Sequence, residues 1–166
     1  MTTPVRYTYQ ELADLISTAA EGLQTFGIGK GDVVAIFAEN SPRWLIIDQG
    51  VMRIGASDAV RGSMAPIEEL RYILNDSSSV AIVVQNADLW RRLSLAPLQR
   101  NKLKLVLQLE GQVIDQGVVG WDDLMRSGLA KKPPKITIER DTALSTSQIA
   151  TILYTSGTTG KPKGVP

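Results

Sequence analysis

The residues with the clearest chemical potential lie together in "YTSGTTGKPKG", residues 154–164. Glycines let the backbone turn through positive φ and bring its N–H groups close to a ligand, and successive N–H groups can form a nest for an anion. The glycines here are Gly157, Gly160 and Gly164, and the polar side chains around them belong to Thr155, Ser156, Thr158, Thr159, Lys161 and Lys163. Pro162 stiffens the backbone between the lysines. Together these groups are the inventory of a phosphate-binding loop.

Better-known motifs do not fit this stretch. A Walker A loop reads G-x-x-x-x-G-K-[ST], whereas this segment reads G-T-T-G-K-P. The G-x-G-x-x-G spacing of a dinucleotide fingerprint is also absent. A nucleophile elbow needs a glycine two residues before the serine, but Tyr154 precedes Ser156 at that spacing and the chain has no His. The alternative to a phosphate loop is a plain Ser/Thr/Gly turn between two strands, with lysines that add solubility.

The composition narrows the chemistry further. The chain has 166 residues, of which 43% are hydrophobic and 21% charged, and these values are typical of one folded domain. The formal net charge is +1, which gives no footprint for nucleic acid. There is no Cys and no His, so disulfides, thiolate nucleophiles and Ser-His-Asp triads are excluded. Carboxylates, hydroxyls, lysines, arginines and backbone dipoles must do whatever chemistry occurs.

The elements that must position the loop follow from local signals. Thr8 and Glu11 have the spacing of a capping box, and Ser41 with Pro42 is typical of a helix start. The patterns predict strands over 33–38, 57–60, 79–84, 102–109 and 148–155, and helices over 8–26, 42–54, 67–74, 88–95 and 121–128. We therefore expect an α/β fold with five or six strands in a parallel, doubly wound sheet and helices on its faces. The glycine-rich stretch follows a strand, and ligands bind beyond the carboxyl ends of strands in such sheets.

The chain is expected to divide into three parts. Residues 1–131 form an α/β N-terminal subdomain, 132–148 a linker-like segment containing "KKPPK", and 149–166 a strand with the phosphate loop. No stretch reaches the roughly 18 uninterrupted apolar residues of a membrane span, and the N-terminus lacks the apolar centre of a secretory signal. These features predict a cytoplasmic location without a transmembrane segment, and they leave peripheral attachment to a membrane open.

Some polar residues outside the loop admit more than one role. Arg61 comes just after a strand, where it could lie near a substrate entrance, stabilise a turn or face a partner. Glu68 and Glu69 are neighbours on a helix and point in different directions, so we expect a solvated helix face rather than paired acid and base. Asp122 and Asp123 begin a helix, where acids are favoured by the helix dipole.

The stretch "YTSGTTGKPKG" resembles the phosphate-loop signature of the adenylate-forming superfamily, which includes acyl-CoA synthetases, peptide-synthetase adenylation domains and luciferases. The segments "GIGKGDVVAIFAENSPRWLIIDQGVMRIGASDAV" and "EELRYILNDSSSVAIVV" are similar to the N-terminal region of the same family, so the resemblance runs from Tyr7 to the end of the chain. The segment "SDAVRGSMAP" resembles the long-chain acyl-activating branch, particularly acyl-acyl-carrier-protein synthetases of cyanobacteria and plastids.

This resemblance implies a reaction and its site. Family members join a carboxylate to ATP, release pyrophosphate, and pass the acyl group of the acyl-adenylate to a thiol. By analogy the nucleotide-binding residues would include Thr155, and the β- and γ-phosphates would be held by Ser156, Gly157, Thr158, Thr159, Gly160 and Lys161. Lys163 would be a secondary contact or a conformational latch, and Mg²⁺ would bridge the phosphates. The implied partners are a fatty acid and either coenzyme A or acyl-carrier protein.

The resemblance also leaves parts of the family pattern unmatched. In this family the adenine and ribose contacts, the metal-binding Glu, the acyl tunnel and the C-terminal domain with its adenylation Lys all follow the phosphate loop. We therefore expect this chain to be an N-terminal piece of a fatty-acid-activating ligase that is catalytically incomplete alone. A non-catalytic module that binds a nucleotide or a partner, and a non-functional fragment with an exposed apolar face, are the alternatives.

Overall fold

A computed structural model describes residues 6–131, 148–156 and 161–166. Seven strands are present in these ranges: β1 Val33–Phe37, β2 Ser57–Arg61, β3 Ala81–Val84, β4 Leu105–Gln108, β5 Val119–Gly120, β6 Thr151–Ser156 and β7 Pro162–Val165. The helices are α1 Tyr9–Thr25, α2 Pro42–Arg53, α3 Ile67–Asp76, α4 Ala87–Leu93, α5 Pro97–Arg100 and α6 Trp121–Ala130. None of the helices in this described part combines the length and the hydrophobicity that a membrane span requires.

The strands form one mixed sheet with the order β5-β4-β3-β1-β2-β6-β7. Strands β1 to β6 pair in parallel, and only β7 runs antiparallel, against β6. The α/β class with a largely parallel sheet is therefore confirmed. The predicted number of strands was too low, because β5 and β7 were missed. Strand β5 has only two residues, too few for a pattern, and β7 contains Pro, Lys and Gly, which are all depleted in strands.

Helices cover both faces of the sheet, as the doubly wound prediction requires. Along β1, Val34 and Ile36 point to a core that includes residues of α1, α2 and α6. Ala35 and Phe37 point to the opposite core, which includes residues of α3 and α4. This alternation follows from the two-residue period of a strand. Because both faces are buried, the strand reads in the sequence as a continuous apolar run.

The two strongest predicted helix starts are confirmed. The Thr8 hydroxyl accepts the Glu11 N–H at 3.2 Å, and the Glu11 carboxylate accepts the Thr8 N–H at 2.7 Å. The Ser41 hydroxyl accepts the Trp44 N–H at 3.1 Å, with Pro42 as the first helical residue. These bonds satisfy N–H groups that have no partner within the helix. The short helix α5 was not predicted, and four residues are too few to show helical periodicity.

Close packing of α1 against α6 depends on Gly128. A Cβ atom at this position would lie 2.0 Å from the carbonyl oxygen of Thr18, which is far inside van der Waals contact. The glycine therefore lets the two helix backbones approach, and α6 packs beside α1 on the same face of the sheet. The predicted linker over 132–148 lies outside the described residues except for its last residue, Gln148.

Candidate functional site

Strand β6 brings the glycine-rich stretch to the edge of the sheet where the parallel strands end. Its register with β2 aligns Asp58 with Thr151 and Val60 with Leu153. Since β6 is parallel to β2, its last residue, Ser156, lies at the same edge as the carboxyl ends of β1 to β4. This is the edge at which open α/β sheets bind their ligands.

Strand β7 returns alongside β6, so the two segments that flank residues 157–160 are held together. The register aligns Ser156 with Pro162 and Thr155 with Lys163. The side chains of Thr155, Lys161 and Lys163 are exposed. Four of the predicted site residues, Gly157, Thr158, Thr159 and Gly160, lie outside the described residues. A phosphate loop and a plain turn both fit between two strands, so this placement alone does not choose between them.

Gly164 has a packing role in the β6–β7 pair. It stands opposite Tyr154, and a Cβ atom at Gly164 would lie 3.1 Å from Cζ and 3.3 Å from the hydroxyl of that tyrosine. The same Cβ would lie 2.9 Å from the Ile152 side chain. The absence of a side chain at 164 therefore leaves room for the Tyr154 ring to lie across the strand pair.

Helix α3 supports the strand pair through its last residue. The Asp76 carboxylate accepts the Tyr154 hydroxyl at 2.9 Å on one oxygen and the Tyr72 hydroxyl at 3.0 Å on the other. Burial, followed by the bond to Asp76, raises the pKa of Tyr154, and the bond to Asp76 raises the pKa of Tyr72. The Lys161 ammonium lies 5.8 Å from the centre of the Tyr72 ring, within cation–π range. We call these four residues, Tyr72, Asp76, Tyr154 and Lys161, the tyrosine–aspartate anchor.

Sequence reasoning missed Tyr72 and Asp76 as supports of the site. Both lie in α3, and Asp76 is 78 residues from Tyr154 in the chain. One signal was available, because an acid at the C-terminal end of a helix opposes the helix dipole and calls for another explanation.

Arg61 lies at the end of β2, beside the end of β6. Its Nε is 2.7 Å from a carboxylate oxygen of Glu69 on α3, but the geometry does not make a hydrogen bond. Glu69 has a side chain only 17% exposed, so the predicted solvated face is wrong for this residue. Glu68 fits the prediction, with a side chain 82% exposed and an ion pair to Arg71. Arg61 therefore links β2 to α3, which agrees with a structural role.

The described residues hold no group of three or more Asp or Glu side chains that could bind a metal ion. Asp122 and Asp123 lie in the first turn of α6, where Asp123 pairs with Arg126 at 2.6 Å.

A buried pair of carboxyl groups lies behind the site, on the α2 face of the sheet. Asp58 in β2 is completely buried, and neither of its carboxylate oxygens has a hydrogen-bond partner in the described structure. Burial, together with Asp48 on α2, raises the pKa of Asp58 to about 7. Asp48 is 7% exposed and accepts a bond from Gln49 at 2.8 Å. The sequence did carry a signal for this pair, because Asp48 interrupts the apolar residues of α2 and Asp58 those of β2.

The largely parallel sheet, with the strand that precedes the glycine-rich stretch ending at its carboxyl edge, places this chain among the open α/β proteins. Residues 2–166 match the family described as AMP-binding enzyme, and the chain belongs to that family. It is 37% identical over 175 residues to a chloroplastic long-chain-fatty-acid–[acyl-carrier-protein] ligase of Arabidopsis thaliana, covering 98% of this chain and 24% of that ligase.

Two further comparisons agree. A long-chain-fatty-acid–CoA ligase of Mycobacterium tuberculosis is 32% identical over 157 residues, which cover 95% of this chain and 25% of that ligase. The apo structure of MbtA from Mycobacterium smegmatis superposes with a TM-score of 0.75 at 30% identity, covering all of this chain and 29% of that one. The chain thus spans about a quarter of the length of the curated relatives it matches.

Proposed function

We propose that this chain forms the triphosphate-binding part of an ATP-dependent ligase that activates fatty acids. The observation that carries the proposal is that the two segments flanking residues 157–160 lie at the carboxyl edge of the sheet in a member of the AMP-binding enzyme family. Fatty acid as the substrate, and coenzyme A or acyl-carrier protein as the acceptor, are supported by the names of the relatives. A cytoplasmic location, with or without peripheral attachment to a membrane, stays a prediction.

In the proposed reaction the fatty-acid carboxylate attacks the α-phosphorus of ATP. A bond forms between carboxylate oxygen and phosphorus, the bond from phosphorus to the bridging oxygen breaks, and pyrophosphate leaves. A thiol then replaces AMP on the acyl carbon. In this scheme Thr155 to Lys161 bind the β- and γ-phosphates and neutralise charge that develops on pyrophosphate, which is the main task of such a site. Mg²⁺, when bound with ATP, would add positive charge at the same phosphates.

The two lysines have different proposed roles. Lys161 lies beside Tyr72, next to the loop, and is proposed as the direct phosphate contact. Lys163 lies opposite Thr155 within the strand pair, and is proposed as a secondary contact or latch. The division into 1–131, 132–148 and 149–166 remains part of the proposal. We also propose that these 166 residues alone do not complete the reaction, since they span about a quarter of the relatives.

Thermal unfolding with ATP–Mg²⁺ tests the binding part of the proposal. Saturation at a hundred times Kd should raise stability by about 2.7 kcal/mol, or Tm by roughly 5–11 °C. Lys161→Ala should weaken ATP binding by roughly 10–100-fold because it removes a charged contact to phosphate. Lys102→Ala, which removes another exposed lysine far from the strand pair, is the matched control and should bind normally.

Two results would contradict this assignment. Absence of any Tm rise at millimolar ATP–Mg²⁺ would show that the loop is not a working site in this chain. Equal weakening by Lys161→Ala and Lys102→Ala would show that only net charge matters.

A separate assay tests the proposed incompleteness. Pyrophosphate release from fatty acid and ATP by the 166-residue chain would disprove it. ATP binding without any release would fit both the incomplete ligase and a non-catalytic nucleotide-binding module.

A further inference from the structure

The tyrosine–aspartate anchor joins helix α3 to both segments that flank residues 157–160. Tyr72 and Asp76 lie one turn apart on α3, and Tyr154 reaches them from β6. The two carboxylate oxygens of Asp76 are each used once, at 3.0 Å and 2.9 Å. Lys161, the first described residue after 157–160, lies over the ring of the same Tyr72. One carboxylate therefore reaches both segments that flank the glycine-rich loop.

The position of Asp76 is poorly explained by helix stability. It is the last residue of α3, where the carbonyl end of the helix carries partial negative charge and an acid is unfavourable. A neutral residue at this position would serve the helix better. The favourable contacts of Asp76 are instead the two phenol hydroxyls, and hydrogen bonds to an ionised acceptor are the stronger kind.

The hydrogen bond to Asp76 matters more for Tyr154 than for Tyr72, because the Tyr154 side chain is buried. The residue is only 6% exposed, and a buried hydroxyl without a partner is costly. Its ring is confined by Gly164 on the neighbouring strand and packs in the core shared with α3. The hydroxyl is thus directed at Asp76 by the packing of its ring, and the bond fixes the β6–β7 pair relative to α3.

We propose that Asp76 is a positioning residue, which acts through Tyr154 and Tyr72 to fix both flanks of the loop and to place the Lys161 ammonium for the phosphates of a nucleoside triphosphate. This inference rests on the proposed function for its ligand, although the anchor itself does not. Asp76 does not contact the ligand in this scheme. Its effect is to reduce the number of arrangements that the strand pair and Lys161 can adopt before the anion arrives.

Amide hydrogen exchange tests the anchor without any nucleotide. In Asp76→Ala, exchange in β6 and β7 should become about 3- to 10-fold faster, while exchange in the central strand β1 stays unchanged. Tyr154→Phe keeps the ring and removes only the hydroxyl, so it should accelerate exchange in the same strands. Asp123→Asn, which removes an exposed, ion-paired acid on α6, is the matched control and should change neither strand.

The phenol groups give a readout that a purely helical role would not move. The pKa values of Tyr72 and Tyr154, followed by ¹³Cζ NMR of the four tyrosines, should both fall in Asp76→Ala. The Kd for ATP–Mg²⁺ should rise about 3- to 10-fold in the same variant. If Asp76 acted only on helix α3, exchange in β6 and β7 would not change in Asp76→Ala. The Tm would be equal or higher, because the substitution removes a negative charge from the C-terminal end of the helix.

The outcomes separate the anchor from the proposed function. Unchanged exchange in β6 and β7 would overturn the anchor, whatever ATP does. Faster exchange with an unchanged Kd would overturn the positioning role. If the unmodified chain fails to bind ATP–Mg²⁺, the proposed function fails, and the exchange comparison still decides whether Asp76 holds the strand pair.

Discussion

Replacing the buried Asp58 with Asn should stabilise the protein at neutral and alkaline pH. Asp58 is completely buried beside Asp48, and its carboxylate oxygens make no hydrogen bond of normal geometry among the described residues. The Thr151 side chain lowers the pKa of Asp58, but burial and Asp48 outweigh it. Burial of an unpaired charge is unfavourable, and the nearby Asp48 adds repulsion. An Asn side chain has a similar shape, carries no charge, and can donate a hydrogen bond to Asp48.

The magnitude and its sign follow from the pKa of Asp58. Its ordinary value is 3.8, and the fold raises it to about 7. Between these values the folded protein holds a proton that the unfolded chain releases, so the free energy of unfolding falls as pH rises and levels off above pH 7. A shift of about three units sets a ceiling of about 4 kcal/mol. The favourable contact with the Thr151 side chain and local relaxation reduce this to about 2 kcal/mol, of which roughly 1.3 kcal/mol lies between pH 5 and pH 7.

The assay is thermal unfolding of both proteins at pH 5 and pH 8. The difference in Tm between Asp58→Asn and the unmodified chain should grow by roughly 3–5 °C from pH 5 to pH 8, because about two of the three pKa units lie in that interval. Asp14→Asn, which alters an exposed carboxylate on α1, is the control and should show no such growth. A difference that is the same at both pH values, or a variant less stable than the parent at pH 8, would refute the reasoning.

Substitutions at three further positions test the packing and capping described above. Gly164→Ala should lower Tm and weaken ATP–Mg²⁺ binding, because its methyl group would press on the Tyr154 ring at 3.1 Å; unchanged calorimetric binding would contradict this. Gly128→Ala should cost about 3 kcal/mol or more in denaturant unfolding, since the new Cβ would meet the Thr18 carbonyl oxygen at 2.0 Å. Ser41→Ala should cost about 1 kcal/mol by the same measurement through loss of the α2 cap, and Ser41→Asp, which can restore the cap, should recover most of it.

The sequence determined what depends on neighbouring residues. The capping box at Thr8 and the cap at Ser41 are set by residues three positions apart, so their signals are complete within one turn of chain. The apolar runs of the strands identified a buried, largely parallel sheet. The order of the residues in "YTSGTTGKPKG" identified the superfamily, because glycines, hydroxyls and lysines in that order are suited to binding phosphate.

Only the tertiary structure decided what depends on distant residues. The sequence of β7 is unfavourable for a strand, yet its pairing with β6 makes it one, because cross-strand contacts outweigh weak local propensity. The bond from Tyr154 to Asp76 spans 78 residues, and no local pattern specifies which carboxylate a buried phenol will meet. The burial of Asp58 likewise depends on α2 covering its strand. Helix starts are therefore determined by residues a few positions apart. The contacts that support the loop form only when the fold brings β6 and α3 together.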